Sequence, residues 1–256
     1  MNSPEDLLQE LTAQLVQEGA EAVLLLGSMA RGEEVLYSDL DLHAVYQTVP
    51  TYQQRIFYQN GQLVTISFYT WDRKELAFTD AQTALWNIEG MRHTRILHDP
   101  EGRFADLQKR ALAFEWREVQ DAALVRISSH LYNTIEESHK VMGALTTHNP
   151  EKCLFALQGM QWPLAEASAF ANGALIVTEN RYWSTIRDRE QDPVWRENFW
   201  TMLGFTDASI LERGVAGLRL YLRTFELYGQ HVKPEQRQTV QQAVQTIRAF
   251  LEQRGY

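Results

Sequence analysis

Two neighbouring stretches decide the fold of this chain: LLLGSMARG at residues 24–32 and YSDLDLH at residues 37–43. The first is an apolar run that stops at Gly27 and Ser28, which predicts a buried strand ending in a tight turn. Gly27 has no Cβ, so the backbone there can come close to a ligand. The turn amides and the Ser28 hydroxyl would then form a cradle for an anion.

Polar and apolar residues alternate through the second stretch. On a strand, this alternation puts Asp39, Asp41 and His43 on one face and leucines on the other. Two adjacent carboxylates repel each other unless a hard divalent cation such as Mg²⁺ lies between them. A lone histidine is more often solvated or hydrogen-bonded than a ligand. A phosphate cradle beside a magnesium-binding pair indicates nucleoside triphosphate chemistry.

At these residues the chain resembles the nucleotidyltransferases of the DNA polymerase β superfamily. Their signature is an apolar strand, Gly-Ser, about a dozen residues, and then Asp-apolar-Asp. The resemblance implies that Asp39 and Asp41 are catalytic and bind Mg²⁺, and that Gly27 and Ser28 hold the β- and γ-phosphates of a nucleoside triphosphate. Arg31 is either an outer phosphate contact or a solvated turn residue. The plain alternative is a surface turn followed by a half-buried strand.

The chain departs from the family at one position. Residues 63–69 alternate again, with Val64, Ile66 and Phe68 on one face, which predicts a strand beside the Asp-bearing one. The family usually carries a third carboxylate on this strand, where we expect Thr65 to face Asp41. A missing acid would remove one metal ligand and puts activity in question.

The order of elements predicts an α+β protein. Residues 1–103 are interpreted as a nucleotidyltransferase domain with a mixed β-sheet and packed helices, starting with a helix at Ser3-Pro4 and including a short strand at Arg95–His98. Residues 50–60 are polar and predict a loop, closed by a turn at Asn60-Gly61. Residues 104–256 show apolar stripes at helical spacing and predict a helical bundle.

The bundle is expected to begin with one long helix over residues 115–146, followed by a helix from Glu151 that Pro163 kinks or ends early. A mixed sheet followed by a bundle is also the layout of the kanamycin and lincosamide nucleotidyltransferases. By this resemblance, Glu136 would be a general base and Lys140 a phosphate contact one turn later. A surface Glu–Lys pair explains the same spacing, and both interpretations stay open.

Net charge and composition limit the classes of partner and the cellular location that we expect. A net charge of −9 argues against binding to a phosphate backbone, so nucleic acid is an unexpected partner. The single cysteine fits a reducing cytosol, no run reaches membrane-spanning length, and the acidic start does not resemble a signal peptide. We therefore expect a cytoplasmic protein. By the resemblance it could form a homodimer.

The leading hypothesis is transfer of a nucleoside monophosphate from a Mg²⁺-bound triphosphate to a hydroxyl of a small molecule, with an aminoglycoside or lincosamide antibiotic as the acceptor class. Two alternatives stay open. One is a nucleotide-binding relative that is weakened or inactive because the third acid is missing. The other is an enzyme that modifies hydroxyls of proteins or tRNA.

Overall fold

A computed structural model describes residues 4–49 and 53–256 of the chain. The predicted cap at Ser3 and the first residues of the predicted loop, 50–52, lie outside the described residues. Packing divides the chain into two compact units. The first runs to Glu118 and also takes in Ile176–Asn180, and the second consists of Val119–Leu175 and Arg181–Tyr256. The division thus falls later than the sequence boundary at residue 103.

The first unit contains a five-stranded mixed sheet in the order β3-β4-β2-β1-β5. Its strands are β1 (Ala22–Leu25), β2 (Leu40–Tyr46), β3 (Gln54–Gln59), β4 (Gln62–Thr70) and β5 (Arg95–His98). Strands β2 and β4 are parallel, whereas the other pairs are antiparallel. The expected α+β class with a mixed sheet first is confirmed, and β5 has its predicted bounds.

One face of the sheet forms the core of this unit. Leu40, Leu42 and Ala44 of β2 are buried there, together with the apolar positions that alternate along β4. Helix α1 (Pro4–Gln17) packs its leucine stripe on the same core. Burial of this apolar face holds the strand register, because a slip of one residue would turn every side chain over.

The predicted loop over residues 50–60 is wrong from Gln54 onward. Residues 54–59 form β3, which pairs antiparallel with β4 through the turn at Asn60-Gly61. Asn60 and Gly61 have φ values of 54° and 82°, as the central residues of a type I′ hairpin turn require. The turn prediction is thus confirmed. The strand was missed because its inward-facing side includes Arg55, while the apolar Ile56 points outward.

Further helices belong to the first unit. They are α2 (Gly27–Arg31), α3 (Trp71–Glu75), α4 (Ala81–Arg92) and α5 (Arg103–Ala113). Of these, α2 packs on β2, α3 packs on β4, and α4 packs on α5. Asp80 caps α4 by accepting a hydrogen bond from the Thr83 amide at 2.9 Å. Residues 176–180 join this unit through a hydrogen bond from the Ile176 amide to the Leu85 carbonyl.

The second unit is helical throughout, as predicted. Its helices are α6 (Gln120–Asn133), α7 (Ile135–Thr146), α8 (Pro150–Asn172), α9 (Tyr182–Arg189), α10 (Pro193–Leu203), α11 (Ile210–Tyr228) and α12 (Pro234–Arg254).

Two helix predictions in this unit need correction. The single helix over residues 115–146 is wrong, because it is interrupted at Thr134, between α6 and α7. The Thr134 hydroxyl donates to the His130 carbonyl at 2.7 Å, and such back-bonding bends a helix. Pro163 does not end α8, which continues to Asn172.

Candidate functional site

The turn after β1 lies directly against the acid pair. Gly27 has φ 69°, and a Cβ built on it would lie 2.5 Å from Asp41 Oδ2. The Leu26 amide donates to the Asp41 carbonyl at 2.9 Å, which fixes the turn to the start of β2. Only glycine fits this position, for its backbone conformation and for the space beside the carboxylate. The Gly-Ser turn and the Asp-Leu-Asp stretch, which the sequence analysis singled out together, therefore lie in contact in the structure.

Asp39 and Asp41 form the expected acidic pair. Burial raises the pKa of Asp41 to about 6, and the neighbouring Asp39 adds to this through its charge and a hydrogen bond. The negative charge of Glu179 raises the pKa further, while Arg31 opposes the increase. A carboxylate that is partly buried beside another acid is stabilised by a bound cation. The pair thus has the electrostatics of a cation site.

Arg31 is held at the edge of this pair. Its Nε lies 2.9 Å from Glu33 Oε2, and its side chain is largely buried. Because its positive charge acts on Asp41, Arg31 is not the freely solvated turn residue of the plainer interpretation.

The strand register places Thr65 as the sequence predicts. Asp41 lies directly opposite Thr65 in the parallel pairing of β2 with β4, and His43 lies opposite Ser67. Opposed residues point to the same face of a sheet. The position where a third acid would meet the pair therefore carries a neutral hydroxyl.

The two carboxylates fit a Mg²⁺ ion that takes its other ligands from phosphate and water. Within residues 4–49 and 53–256, no group of three or more His, Cys, Asp or Glu side chains is arranged to hold a metal ion. Mg²⁺ commonly binds proteins through one or two carboxylates, with substrate phosphates and water completing the octahedron. Asp39 and Asp41 satisfy that minimum.

Sequence reasoning missed a buried cation on the same face of the sheet. Lys74 of α3 is only 3% exposed, and its Nζ lies 2.6 Å from His43 Nδ1 and 3.9 Å from the centroid of the Tyr69 ring. Burial lowers the pKa of Lys74 to about 7, and burial with the Lys74 charge lowers the pKa of His43. His43 is therefore hydrogen-bonded, as expected of a lone histidine. Nothing in the sequence around Lys74 signals its burial, which comes from the packing of α3.

The predicted pair on the bundle is present on α7. Lys140 Nζ lies 3.0 Å from Glu136 Oε1 and 2.8 Å from Glu137 Oε1. The Glu136 side chain is 78% exposed, whereas that of Glu137 is 19% exposed and packs against Gly159 of α8. Glu136 and Lys140 do lie on one side of the helix, but a solvated ion pair has the same geometry.

We compared the chain with known proteins. No family model and no curated protein matches it. Among solved structures it is similar to the crystal structure of a nucleotidyltransferase-like protein from Exiguobacterium sibiricum 255-15, with a TM-score of 0.52 and 12% sequence identity. The match covers 86% of this chain and 74% of that one. The fold is therefore nucleotidyltransferase-like, as the Gly-Ser and Asp-Leu-Asp stretches predict.

None of the helices in the described part of the chain combines the length and the apolar character needed to cross a membrane.

Proposed function

We propose that the protein transfers a nucleoside monophosphate from a Mg²⁺-bound nucleoside triphosphate to a hydroxyl of a small molecule. An aminoglycoside or a lincosamide is the acceptor class we would test first, because the order of sheet and bundle resembles the antibiotic-modifying nucleotidyltransferases. The proposal rests on the contact between the Gly27 turn and the raised-pKa carboxyl of Asp41. That contact joins a backbone anion cradle to a cation site.

Each residue of the site has a role in this reaction. The amides at Gly27 and Ser28 bind phosphate oxygens, and Arg31 adds positive charge at their edge. Asp39 and Asp41 hold Mg²⁺, which when bound neutralises phosphate charge and orients the triphosphate. Catalysis of this type depends on positioning and charge, both of which these residues supply without covalent chemistry.

The test is incubation of the protein with labelled nucleoside triphosphates, Mg²⁺ and a panel of hydroxylated antibiotics, followed by separation of the products. We expect label to appear on one acceptor and pyrophosphate to be released in equal amount. A protein that binds the Mg²⁺-bound triphosphate tightly but labels no hydroxyl compound would contradict the transfer reaction.

For the base we propose Glu136, with Lys140 as its phosphate-binding neighbour. Glu136→Gln keeps the shape of the side chain but cannot accept a proton, so turnover should fall by about two to four orders of magnitude with nucleotide affinity nearly unchanged. Glu137→Gln is the matched control, because Glu137 contacts the same lysine. Equal activity of Glu136→Gln and the parent would show that Glu136 is half of a surface ion pair.

A second candidate function is nucleotide binding without turnover, and one observation favours it. Thr65 lies opposite Asp41, where a third acid would complete the metal site. In that case, triphosphate binding would require Mg²⁺ and Asp41, but no product would form with any acceptor. The same labelling experiment separates the two functions.

A further inference from the structure

The face of the sheet that carries Asp41 continues to the edge strand. Asp41 of β2 lies opposite Thr65 of β4, and Thr65 lies opposite Ile56 of β3. All three therefore point to the same side of the sheet. Because neighbouring strands are about 4.8 Å apart, the Cα of Ile56 lies about 10 Å from that of Asp41.

At the edge strand this face is apolar and open to solvent. Ile56 is 61% exposed and Tyr58 is 76% exposed, although both lie on a regular strand. Tyr58 lies opposite Leu63, which alternation places on the same face as Thr65. We call Ile56, Tyr58 and Leu63 the rim platform. Exposed apolar side chains grouped beside a polar site are typical of ligand-binding surfaces.

The strand order decides which substrate the rim platform faces. The turn at Gly27 and Ser28 follows β1, which lies on one side of β2, while β4 and β3 lie on the other side. In phosphoryl transfer the attacking and leaving oxygens are roughly in line on opposite sides of phosphorus. This step rests on the proposed function, in which the turn holds the phosphates that leave. The acceptor hydroxyl must then approach from the side of β4.

We propose that the rim platform binds the acceptor, and that this acceptor is a hydroxylated ring with an apolar face. The exposed ring of Tyr58 and the side chain of Ile56 offer a flat apolar surface at the edge of the site. Thr65 and Ser67 lie next to them on the same face and supply hydroxyls that can hydrogen-bond the hydroxyls of such a ring. A sugar or aminocyclitol ring combines both properties, whereas an open-chain polyol presents no flat apolar face.

The test uses Tyr58→Ser and Ile56→Ser, which remove apolar surface from exposed positions and should leave the fold unchanged. Leu112→Ser is the matched control, since Leu112 is a similarly exposed apolar residue on α5. We would measure the KM of the best ring acceptor, the Kd of the Mg²⁺-bound triphosphate by calorimetry, and saturation-transfer NMR signals of p-nitrophenyl β-D-glucopyranoside with sorbitol as reference.

We expect Tyr58→Ser to raise the KM of the acceptor about tenfold and to reduce the NMR signal of the glucoside by a similar factor, because stacking on an aromatic ring contributes on this scale. The Kd of the triphosphate should stay within about twofold of the parent value. Leu112→Ser should change neither quantity.

Several outcomes would overturn the rim platform. One is an equal glucoside signal from the parent and Tyr58→Ser. Another is loss of triphosphate affinity in parallel with acceptor affinity, which would assign the surface to the nucleotide. A dimer that dissociates in Ile56→Ser while the glucoside signal is unchanged would make the surface a subunit interface. By contrast, a parent that binds no Mg²⁺-bound triphosphate refutes the proposed function, and the glucoside signals still decide the platform.

Discussion

Replacing Asp41 by asparagine should stabilise the metal-free protein at neutral pH and abolish its stabilisation by Mg²⁺-bound triphosphate. The pKa of the Asp41 carboxyl rises from 3.8 to about 6 in the folded state. Between these values the folded protein keeps a proton that the unfolded chain has released. The free energy of unfolding therefore falls as the pH rises from about 4 to about 6, and above that range the full cost of the buried charge is present.

The size of the effect follows from the same values. At 1.36 kcal/mol per pH unit, a rise from 3.8 to about 6 corresponds to about 3 kcal/mol. Asp41 is only partly buried, and solvent screening lowers this to roughly 1–2 kcal/mol. Asp41→Asn should therefore raise the melting temperature of the metal-free protein by about 4 °C at pH 7.5, with little difference from the parent at pH 4.

The assay is thermal unfolding of the parent and Asp41→Asn at pH 4 and pH 7.5, each with and without Mg²⁺-bound triphosphate. Asp106→Asn is the control, because Asp106 is an exposed acid on α5 that pairs with Lys109. The parent should gain stability from the nucleotide at pH 7.5, and Asp41→Asn should gain none. Equal melting temperatures in the metal-free state at pH 7.5, or equal gains with nucleotide, would refute the assignment of Asp41.

Three further substitutions test other parts of the site. Gly27→Ala should destabilise the protein more than Gly32→Ala and should also abolish triphosphate binding. Both glycines have positive φ, but only a Cβ at Gly27 meets the Asp41 carboxylate. Equal calorimetric affinities for the triphosphate in the two variants would contradict this. Thr65→Glu should lower the melting temperature of the metal-free protein, because it adds a third negative charge. Mg²⁺-bound triphosphate should then raise the melting temperature of this variant more than that of the parent, since the glutamate adds an anionic ligand. Equal increases in melting temperature would show that Thr65 does not face the metal. Lys74→Met should raise the free energy of unfolding at pH 7, because burial lowers the pKa of Lys74 from 10.5 to about 7, which costs about 4–5 kcal/mol at 1.36 kcal/mol per pH unit. Loss of the hydrogen bond to His43 offsets about 1–2 kcal/mol of this, so the net gain is about 3 kcal/mol. The gain should shrink as the pH rises towards 10.5, where the unfolded lysine also loses its proton, and denaturant unfolding at pH 7 and pH 10 measures it.

The sequence was sufficient to predict β2, β4 and their facing residues, because each of these strands buries one face and its apolar residues therefore alternate. It was sufficient for β1 because that strand is buried on both faces and is an unbroken apolar run. The register of β2 against β4, and with it the position of Thr65, follows from the same alternation. Gly27 was recognisable for a similar reason: its lack of a side chain is a requirement of the turn and of the contact with Asp41.

Strand β3 and the interruption between α6 and α7 were missed because no comparable sequence pattern marks them. Strand β3 turns Ile56 and Tyr58 outward and packs Arg55 inward, where its guanidinium lies 5.3 Å from the centroid of the Phe68 ring. Phe57 also faces inward and packs on the core, so β3 has apolar residues on both faces and lacks the clear alternation of a strand with one buried apolar face. The interruption at Thr134 coincides with one hydroxyl that bonds to the backbone, and a threonine inside a helical pattern does not reveal this choice.

The absence of a third acid at Thr65 changes how the site would bind its metal. Two carboxylates would leave most of a Mg²⁺ octahedron to water and to phosphate oxygens, so a bound triphosphate would supply ligands that a third acid would otherwise provide. The same two carboxylates are costly to the protein when no cation is present, as the raised pKa of Asp41 shows. Metal and nucleotide should therefore bind together, each increasing the affinity of the other by the same factor. In such a site the open face beside Thr65 stays free of metal ligands, and this leaves room for an acceptor to lie against β4 and the rim platform.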